Sequence, residues 1–383
     1  MRHFHSLALF FVYSSLGYYI SAMVAGLRFA RESRRPPGPL PSLAPSVLIL
    51  RPLHGFSEQM VDNVRNLLAV DYPNRRIVLG ATSETDGSAR IVHAIKAEFP
   101  ASDLICTFGQ YPTGNPKVGK LMWMLERAPH ADVVMMIDAD GRVERDHVRR
   151  VVSELYADDR VGLVTSIYCA RPAYPLLGAR LEALFINTDF APLAILSKYF
   201  ERVRHAYASC IAVKKRVFDA IGGLSDIKDC FGDDLMLGRK VAASGLEVKV
   251  SSAVVTMVTE ERTLAEFWGH QLRGWRVDRR IRPISCGRIL INGPFWALLC
   301  LFSGANLFAI KLFSVVLAMR IAMAAWMIRV VFRLPLSFKD LLLVAFKDLL
   351  LVGIWAASFM GNKVEWGGKQ RILTADGKMQ EVA

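Results

Sequence analysis

The sequence predicts an α/β protein: a mostly parallel, doubly wound sheet with helices on both faces, flanked at either end by transmembrane helices. Three observations predict it. Residues 6–27 run about 22 positions without a charge, and apolar runs return after residue 288. Between residues 45 and 288 short apolar strands alternate with mixed helices. Finally "VVMMIDADGR", residues 133–142, carries an apolar strand into two aspartates, Asp138 and Asp140, with one alanine between them.

The membrane elements come first. At 1.5 Å per residue, the uncharged run at 6–27 crosses a hydrocarbon layer of about 30 Å. It is too long for a signal peptide, and "RFARESRRPPGP" follows it in place of a small-residue cleavage site. Residues 1–28 are therefore an anchor and 29–44 a basic, Pro-rich linker. Arg28, Arg31, Arg34 and Arg35 predict that the chain continues in the cytoplasm with the N-terminus outside. Residues 289–358 hold two to three further crossings, which leaves open the side taken by the polar tail, 359–383. Lys311 and Arg320 interrupt the middle run and read as snorkelling side chains at helix ends or as a path for lipid headgroups. The octads 337–344 and 345–352 share "FKDLLLV". Eight residues advance a helix face by about 80°, so Lys339 and Lys347 share no stripe and the duplication reads as having no specific role.

Between these flanks, strands are predicted at 46–52, 76–82, 103–109, 133–140, 161–167 and 247–255. Helical patterns such as "SEQMVDNVRNLLAV", "GSARIVHAIKAEF" and "KLMWMLERA" separate the first four. Strand and helix in alternation build a parallel sheet covered on both faces, and ligands gather beyond the carboxyl ends of its strands. Asp138 and Asp140 lie at such an end. Two neighbouring carboxylates repel unless a cation sits near, and hard oxygen ligands suit Mg²⁺ or Mn²⁺ carrying a phosphate.

The same string occurs in solvated loops and in haloacid-dehalogenase phosphatases, where the first Asp is a nucleophile. Here Arg142 stands where the phosphatase pattern has Thr or Val, and the strand is fourth in order. "FGDDLMLGRKVAASG" places Asp233 and Asp234 at the start of an amphipathic helix. They could simply cap it, or present a general base to the crevice. "HQLRGWRVDRRIRP" packs five arginines beside Trp275 just before the membrane return. Arginine forks bind diphosphate bidentately, and for Arg279 to Arg282 an anionic lipid surface is the favoured partner. The segment 174–200 is apolar enough to be an interfacial helix lining a lipid entry, or a plain core helix. The net charge of +13 sits beside membrane helices and not along a groove-reading element, so nucleic acid is not an expected partner.

Together "RPLHG", "DYPNRRIVLGATSETD", "GNPKVGK", "IDADGRV", "AIGGLSDIKDCFGDDLMLGRKV" and "HQLRGW" resemble the membrane-bound inverting glycosyltransferases of the GT-A fold. The closer resemblance is to the ceramide glucosyltransferase group, which includes bacterial hopanoid-associated relatives. It runs from about residue 47 to about 283 and implies a Rossmann-like catalytic domain over 45–288.

The resemblance implies a role for each motif. Asp86 would contact the base or ribose of a UDP-sugar, and Lys117 would lie near the nucleotide or diphosphate. Asp138 and Asp140 would hold a divalent cation, Mg²⁺ or Mn²⁺, on the UDP. Asp234, beside Asp233, would deprotonate the acceptor hydroxyl. Gln271, Arg273 and Trp275 resemble the Q-x-x-R-W signature that holds the diphosphate and acceptor. The chain departs from the family in two places. Thr82 and Ser83 stand where a further Asp is usual, and the signature reads Gln271-Leu-Arg-Gly-Trp, with Arg273 in register and Trp275 displaced by one. The implied activity is transfer of a hexose to the hydroxyl of a membrane lipid, ceramide-like first and hopanoid second. A processive polysaccharide synthase and a membrane-tethered phosphatase are the alternatives.

Overall fold

A computed structural model describes residues 2–100, 103–303, 306–366, 369–374 and 377–381. In chain order the elements are α1 (Arg2–Ser33), β1 (Val47–Pro52), α2 (Glu58–Leu68), β2 (Arg75–Ala81), α3 (Gly87–Glu98), β3 (Leu104–Phe108), α4 (Pro116–Arg127) and β4 (Val133–Ile137). There follow β5 (Gly141–Arg142), α5 (His147–Tyr156), β6 (Val161–Pro172), α6 (Leu177–Phe185), α7 (Ala191–Phe200), β7 (Cys210–Lys214), α8 (Lys215–Ala220), α9 (Asp233–Ala243), β8 (Glu247–Thr259) and α10 (Leu264–Ile281). The remainder is α11 (Gly293–Ser303), α12 (Leu307–Trp326), α13 (Phe338–Ser358), β9 (Lys363–Trp366), β10 (Lys369–Leu373) and β11 (Met379–Glu381).

The described residues form one eight-stranded sheet in the order β3-β2-β1-β4-β7-β6-β8-β5. β1 to β4 are parallel, β7 runs antiparallel to both β4 and β6, and β6 and β8 are parallel again. β4 is buried along its whole length, as a central strand covered on both faces must be. The chain builds outward from β1 to β2 and β3, then returns to place β4 on the other side of β1. The topological switch point therefore lies between β1 and β4, where a crevice opens beyond their carboxyl ends.

Local chemistry sets the helix starts near that crevice. Asn115 caps α4 by accepting from the Lys117 backbone N–H at 3.1 Å, with Pro116 in the first turn. Thr263 and Glu266 form a capping box at the start of α10.

The six expected strands are present, with three differences. The fourth stops at Ile137, because Asp138 enters a turn closed by Gly141 N–H donating to the Asp138 carbonyl at 3.1 Å. β5 and β7 were not expected: the first is two residues long, and both pair antiparallel, β5 with β8 and β7 with β4 and β6, in a mostly parallel sheet. The polar tail, third, is a three-stranded antiparallel sheet, β11-β10-β9. It packs on the loop 229–231, where Phe231 N–H donates to the Gly377 carbonyl at 3.0 Å and Met379 N–H to that of Asp229 at 3.0 Å.

Among the described residues three helices are long and apolar enough to cross a membrane: His5–Ser33, Leu307–Val331 and Phe338–Ser358. A bent pair, Pro283–Ile291 with Gly293–Ser303, passes the same test as one unit broken by 57°. Of the two charges in the middle run, Lys311 is exposed in the second turn of α12, whereas Arg320 does not snorkel. Arg320 is 3% exposed and pairs with Asp348 at 2.7 Å and Asp189 at 3.0 Å. The repeated octad also has a use: Asp340 of the first copy pairs with Arg180 at 2.6 Å, whereas Lys347 and Asp348 of the second join the Arg320 cluster. The rotation between copies aims one aspartate at α6 and the other at α12.

Candidate active site

An open cleft of about 1620 Å³ lies beyond the carboxyl ends of β1 and β4. It brings together Lys117, Asp138, Asp140, Asp233, Asp234, Gln271 and Arg273, residues spread over more than 150 positions of chain. Asp138 and Asp140 sit in the turn that ends β4, and Asp233 and Asp234 occupy the first turn of α9, where the helix dipole favours negative charge.

Lys117 joins the two acid pairs. Its Nζ lies 2.8 Å from Asp138 Oδ1 and 3.3 Å from Asp233 Oδ2. Burial works against the ammonium, but Asp138 and Asp233 outweigh it and hold its pKa well above the ordinary lysine value. The remaining two acids lack a contact of that kind. Burial, reinforced by Asp138, pushes the Asp140 carboxyl up to about 7. Burial together with Asp233 raises Asp234 to about 6. Two acid pairs thus flank Lys117, and this end of the cleft favours a cation.

Two residues not singled out from the sequence shape the Asp138–Arg142 turn. Arg51 of β1 is fully buried and donates to the carbonyls of Asn63 at 2.7 Å and Gly141 at 2.6 Å. Burial lowers its pKa to about 10, against the pull of Asp140 and Asp138. Asn63 Nδ2 donates to the Ala139 carbonyl at 3.0 Å, and its Oδ1 accepts from Arg142 Nε at 2.7 Å. Both side chains grip the backbone of the turn, leaving the two carboxylates for the cleft. The signal in the sequence was Arg51 itself, a charge within an apolar strand.

The opposite wall comes from α6, the turn that follows it, and α10. Glu182 is 3% exposed and collects Arg262 Nη1 at 2.9 Å, His270 Nδ1 at 3.0 Å and Gln271 Nε2 at 3.1 Å. Burial pushes its carboxyl up, but His270, Arg262 and Gln271 prevail and keep it below the usual range. Gln271 therefore faces the cleft as part of the α6–α10 junction. Phe185, Ile186 and Phe190 add an apolar lining on this side.

Arg273 lines the cleft and donates to the Glu365 carbonyl of β9 at 3.2 Å. Trp275, one turn beyond Gln271, is 2% exposed and packs with Leu181, Phe267, Leu351 and Ile354. Its ring carries the Arg288 guanidinium at 3.7 Å, and it is Arg288, not Trp275, that reaches the cleft. Asp86 is also off the cleft wall. It precedes α3 and accepts from Ser88 Oγ at 2.7 Å; burial would raise it, but Ser88 and Thr82 hold it below the usual carboxylate range. Thr82 does line the cleft.

Arg279, expected at a lipid surface, is engaged by the tail, as is Arg276. Arg276 donates to the carbonyls of Lys363 at 2.5 Å and Met360 at 3.2 Å, and Arg279 to that of Gly361 at 2.8 Å and to Asn362 Oδ1 at 2.6 Å. Both fasten the tail to α10, because the chain leaving α13 passes directly under them. The tail in turn sends Arg371, 4% exposed, into the cleft wall, where it donates to the Gly114 carbonyl. Gly114 N–H donates to Asp229 Oδ1 at 2.6 Å, and Asn115 Nδ2 to the Cys230 carbonyl at 2.9 Å. Residues 114–117 and the acidic loop 229–234 are thus bound together with the tail.

Comparison with known proteins follows this geometry. The sequence profile of glycosyl transferase family 21 matches residues 7–379. Ceramide glucosyltransferase 3 of Caenorhabditis elegans is 22% identical over 214 residues, 55% of this chain and 46% of that protein. Poly-beta-1,6-N-acetyl-D-glucosamine synthase of Staphylococcus aureus is 24% identical over 303 residues, 77% of this chain and 63% of that protein. The matches thus span about half to two thirds of these relatives. Among solved structures, a mannosyltransferase from Pyrobaculum calidifontis in complex with GDP-Man and Mn²⁺ superposes with a TM-score of 0.53 at 18% identity, covering 93% of this chain and 99% of that one. That likeness shows a common GT-A-like fold. With the profile covering nearly the whole chain, the protein belongs to glycosyl transferase family 21 and has a GT-A-like fold.

Proposed function

We propose that the enzyme transfers a hexose from a UDP-sugar to the hydroxyl of a membrane lipid, ceramide-like in the first instance, with inversion at the anomeric carbon. The observation that carries this reading is the cleft itself. Its acidic end holds both aspartate pairs, and its other wall is the apolar surface of α6 and the turn after it, which pack on the membrane helices. At about 1620 Å³ it exceeds the roughly 300–1,000 Å³ of an ordinary small-molecule pocket, leaving room for a donor and an acceptor together. Residues 45–288 are the catalytic unit in this reading, and Arg28 and Arg31 at the end of α1, with Arg34 and Arg35 just after it, support a cytoplasmic position for it.

The donor set suits a divalent cation. Asp138 and Asp140 supply two hard oxygen ligands, and the raised Asp140 carboxyl marks a charge deficit that a cation would relieve. No group of three His, Cys, Asp or Glu side chains among the described residues forms a closed metal cage. Two carboxylates plus phosphate oxygens and water match the way Mg²⁺ or Mn²⁺ is held on a nucleotide. When bound, the ion supplies charge stabilisation for the departing diphosphate.

The chain's own residues divide the remaining work. Lys117, Arg273 and Arg288 all line the cleft and supply positive charge for a diphosphate lying across it. Asp234, raised to about 6, is ionised at neutral pH yet basic enough to take the acceptor proton. Asp233 is held by Lys117 and helps to raise its neighbour. α6 excludes water from the acceptor side.

Membranes containing the full chain, incubated with radiolabelled UDP-glucose or UDP-N-acetylglucosamine, should label an extractable lipid. The label should vanish with Asp234→Asn or on chelation of divalent cations. Similarity to the poly-N-acetylglucosamine synthase supports a second reading, a processive synthase, for which the label would remain in a polymer. Free phosphate without sugar transfer would refute both.

A further inference from the structure

Length and composition make α13 a candidate span, but its contacts describe something else. Both of its ends lie on the catalytic domain. At the N-terminal end Asp340 pairs with Arg180 of α6 at 2.6 Å. Near the C-terminal end Gly353 lies beside the Trp268 ring of α10, and the Met360 carbonyl, just past the helix, accepts from Arg276. The chain then continues directly into the tail sheet against the acidic loop. A helix of 21 residues is about 30 Å long. Had it crossed the bilayer, one end would be far from that domain.

The other three apolar segments behave as crossings should. His5 of α1 lies 3.1 Å from Ser303, at the far end of α11, and Arg34, just after α1, donates to the Val330 carbonyl just after α12. α1 and α12 are therefore parallel, and the bent Pro283–Ser303 pair carries the chain back to the far side between them. All three pass one level, marked by Tyr19 accepting from Gly293 N–H at 3.0 Å, Asn292 donating to the Asp348 carbonyl at 3.0 Å, and Arg320 paired with Asp348 at 2.7 Å. Beyond that level α1 continues about 21 Å to His5, α12 about 20 Å to Leu307 and α11 about 15 Å to Ser303. A hydrocarbon layer of about 30 Å then leaves about 10 Å on the catalytic side of the level, the depth at which amphipathic interfacial helices lie.

The surface of α13 agrees. Apart from Lys339 in its first turn, its exposed positions, Phe338, Leu342, Phe346, Leu349, Gly353 and Ala356, recur at helical spacing and carry no charge. The face behind them, Val344, Lys347, Asp348, Leu351 and Ile354, is buried on the protein.

We infer that α13 does not cross the membrane but lies in the plane of the catalytic-side leaflet, its apolar stripe in the acyl region. It packs on α6 and α10, the two helices that wall the cleft. The cleft mouth is therefore pinned at the bilayer surface, and an acceptor enters it sideways from the leaflet. Three crossings result, α1, Pro283–Ser303 and α12, and the tail returns to the catalytic side. The lateral entry rests on the lipid-acceptor reading above; the in-plane placement does not.

The test is a depth profile. Full-length protein carrying a single nitroxide at 338, 342, 346 or 349 is reconstituted in phosphatidylcholine–phosphatidylglycerol vesicles, and oxygen and nickel-chelate accessibilities report depth. An in-plane helix puts all four labels at one depth, whereas a span spreads 338 to 349 over about 16 Å along the bilayer normal. A monotonic gradient of that size overturns the inference. Protease protection of tagged full-length protein gives an independent readout. A tag after residue 383 should share the accessibility of the catalytic domain, and one inserted after Ser303 should have the opposite; a C-terminal tag on the far side refutes the placement. Neither readout requires sugar transfer, so failure of the proposed activity and failure of this placement are separable.

Discussion

Replacing Asp234 by asparagine should inactivate the enzyme and stabilise it at once. Burial and the neighbouring Asp233 move this carboxyl from 3.8 to about 6, so in the folded protein its charged form is penalised by about 3 kcal/mol at pH 7. Asparagine is nearly isosteric and carries no such penalty. The sign follows from proton binding: between about pH 4 and 6 the folded state holds the proton more tightly than the unfolded state, so wild-type stability falls as pH rises through that window. Asp234→Asn should therefore melt several degrees above wild type at pH 7.5, with the gap closing as pH falls below about 4. Loss of the proposed general base should lower turnover by about 10²–10⁴-fold in the same preparation. Thermal unfolding of detergent-purified protein across pH, alongside the lipid-labelling assay, measures both. An asparagine variant less stable than wild type at pH 7.5, or a gap that does not change with pH, would refute the electrostatic account of this residue.

Other perturbations test different parts of the structure. Arg320→Ala leaves Asp348 and Asp189 sharing Lys347 as their one remaining buried cation in the cluster, one negative charge uncompensated, and should cost about 3–5 kcal/mol, seen as lost folded protein after extraction. Gly178→Ala would place a Cβ 2.1 Å from the Thr263 carbonyl oxygen, so α6 and α10 must separate; the expected cost is about 1–3 kcal/mol in thermal stability, with raised KM for the acceptor. Arg371→Ala should lower kcat more than donor KM, because it loosens the contact between the tail and residues 114–117 while leaving Lys117 and the four aspartates of the cleft in place; partial recovery in Arg371→Lys distinguishes this from misfolding. Below about pH 6 turnover should fall as Asp234 takes up its proton, and Asp234→Glu should retain a descending acid limb where the asparagine variant has none.

Much was legible in the sequence because it depends on short-range pattern. An uncharged run of about 22 residues can only be satisfied in lipid or a deep core, and strands of all-apolar residues between helices require a sheet covered on both faces. Asp138 and Asp140 at the end of such a strand, and Asp233 and Asp234 at a helix start, were readable as a charged crevice before any coordinates, since side-chain type and position along an element suffice. Tertiary structure decided whatever depends on pairs distant in the chain. Arg51 and Asn63 grip the 138–142 turn across strands. Lys117 bridges aspartates 95 residues apart. Arg276 and Arg279 bind a tail more than 80 residues downstream, and Trp275 turns into the core where a ligand contact was expected. Hydropathy could identify α13 as apolar but not which way it lies, because the same stripe suits a span or an interfacial helix. Only the contacts at its two ends separate them: a charge's partner, and a helix's direction, are set by what the rest of the chain brings beside it.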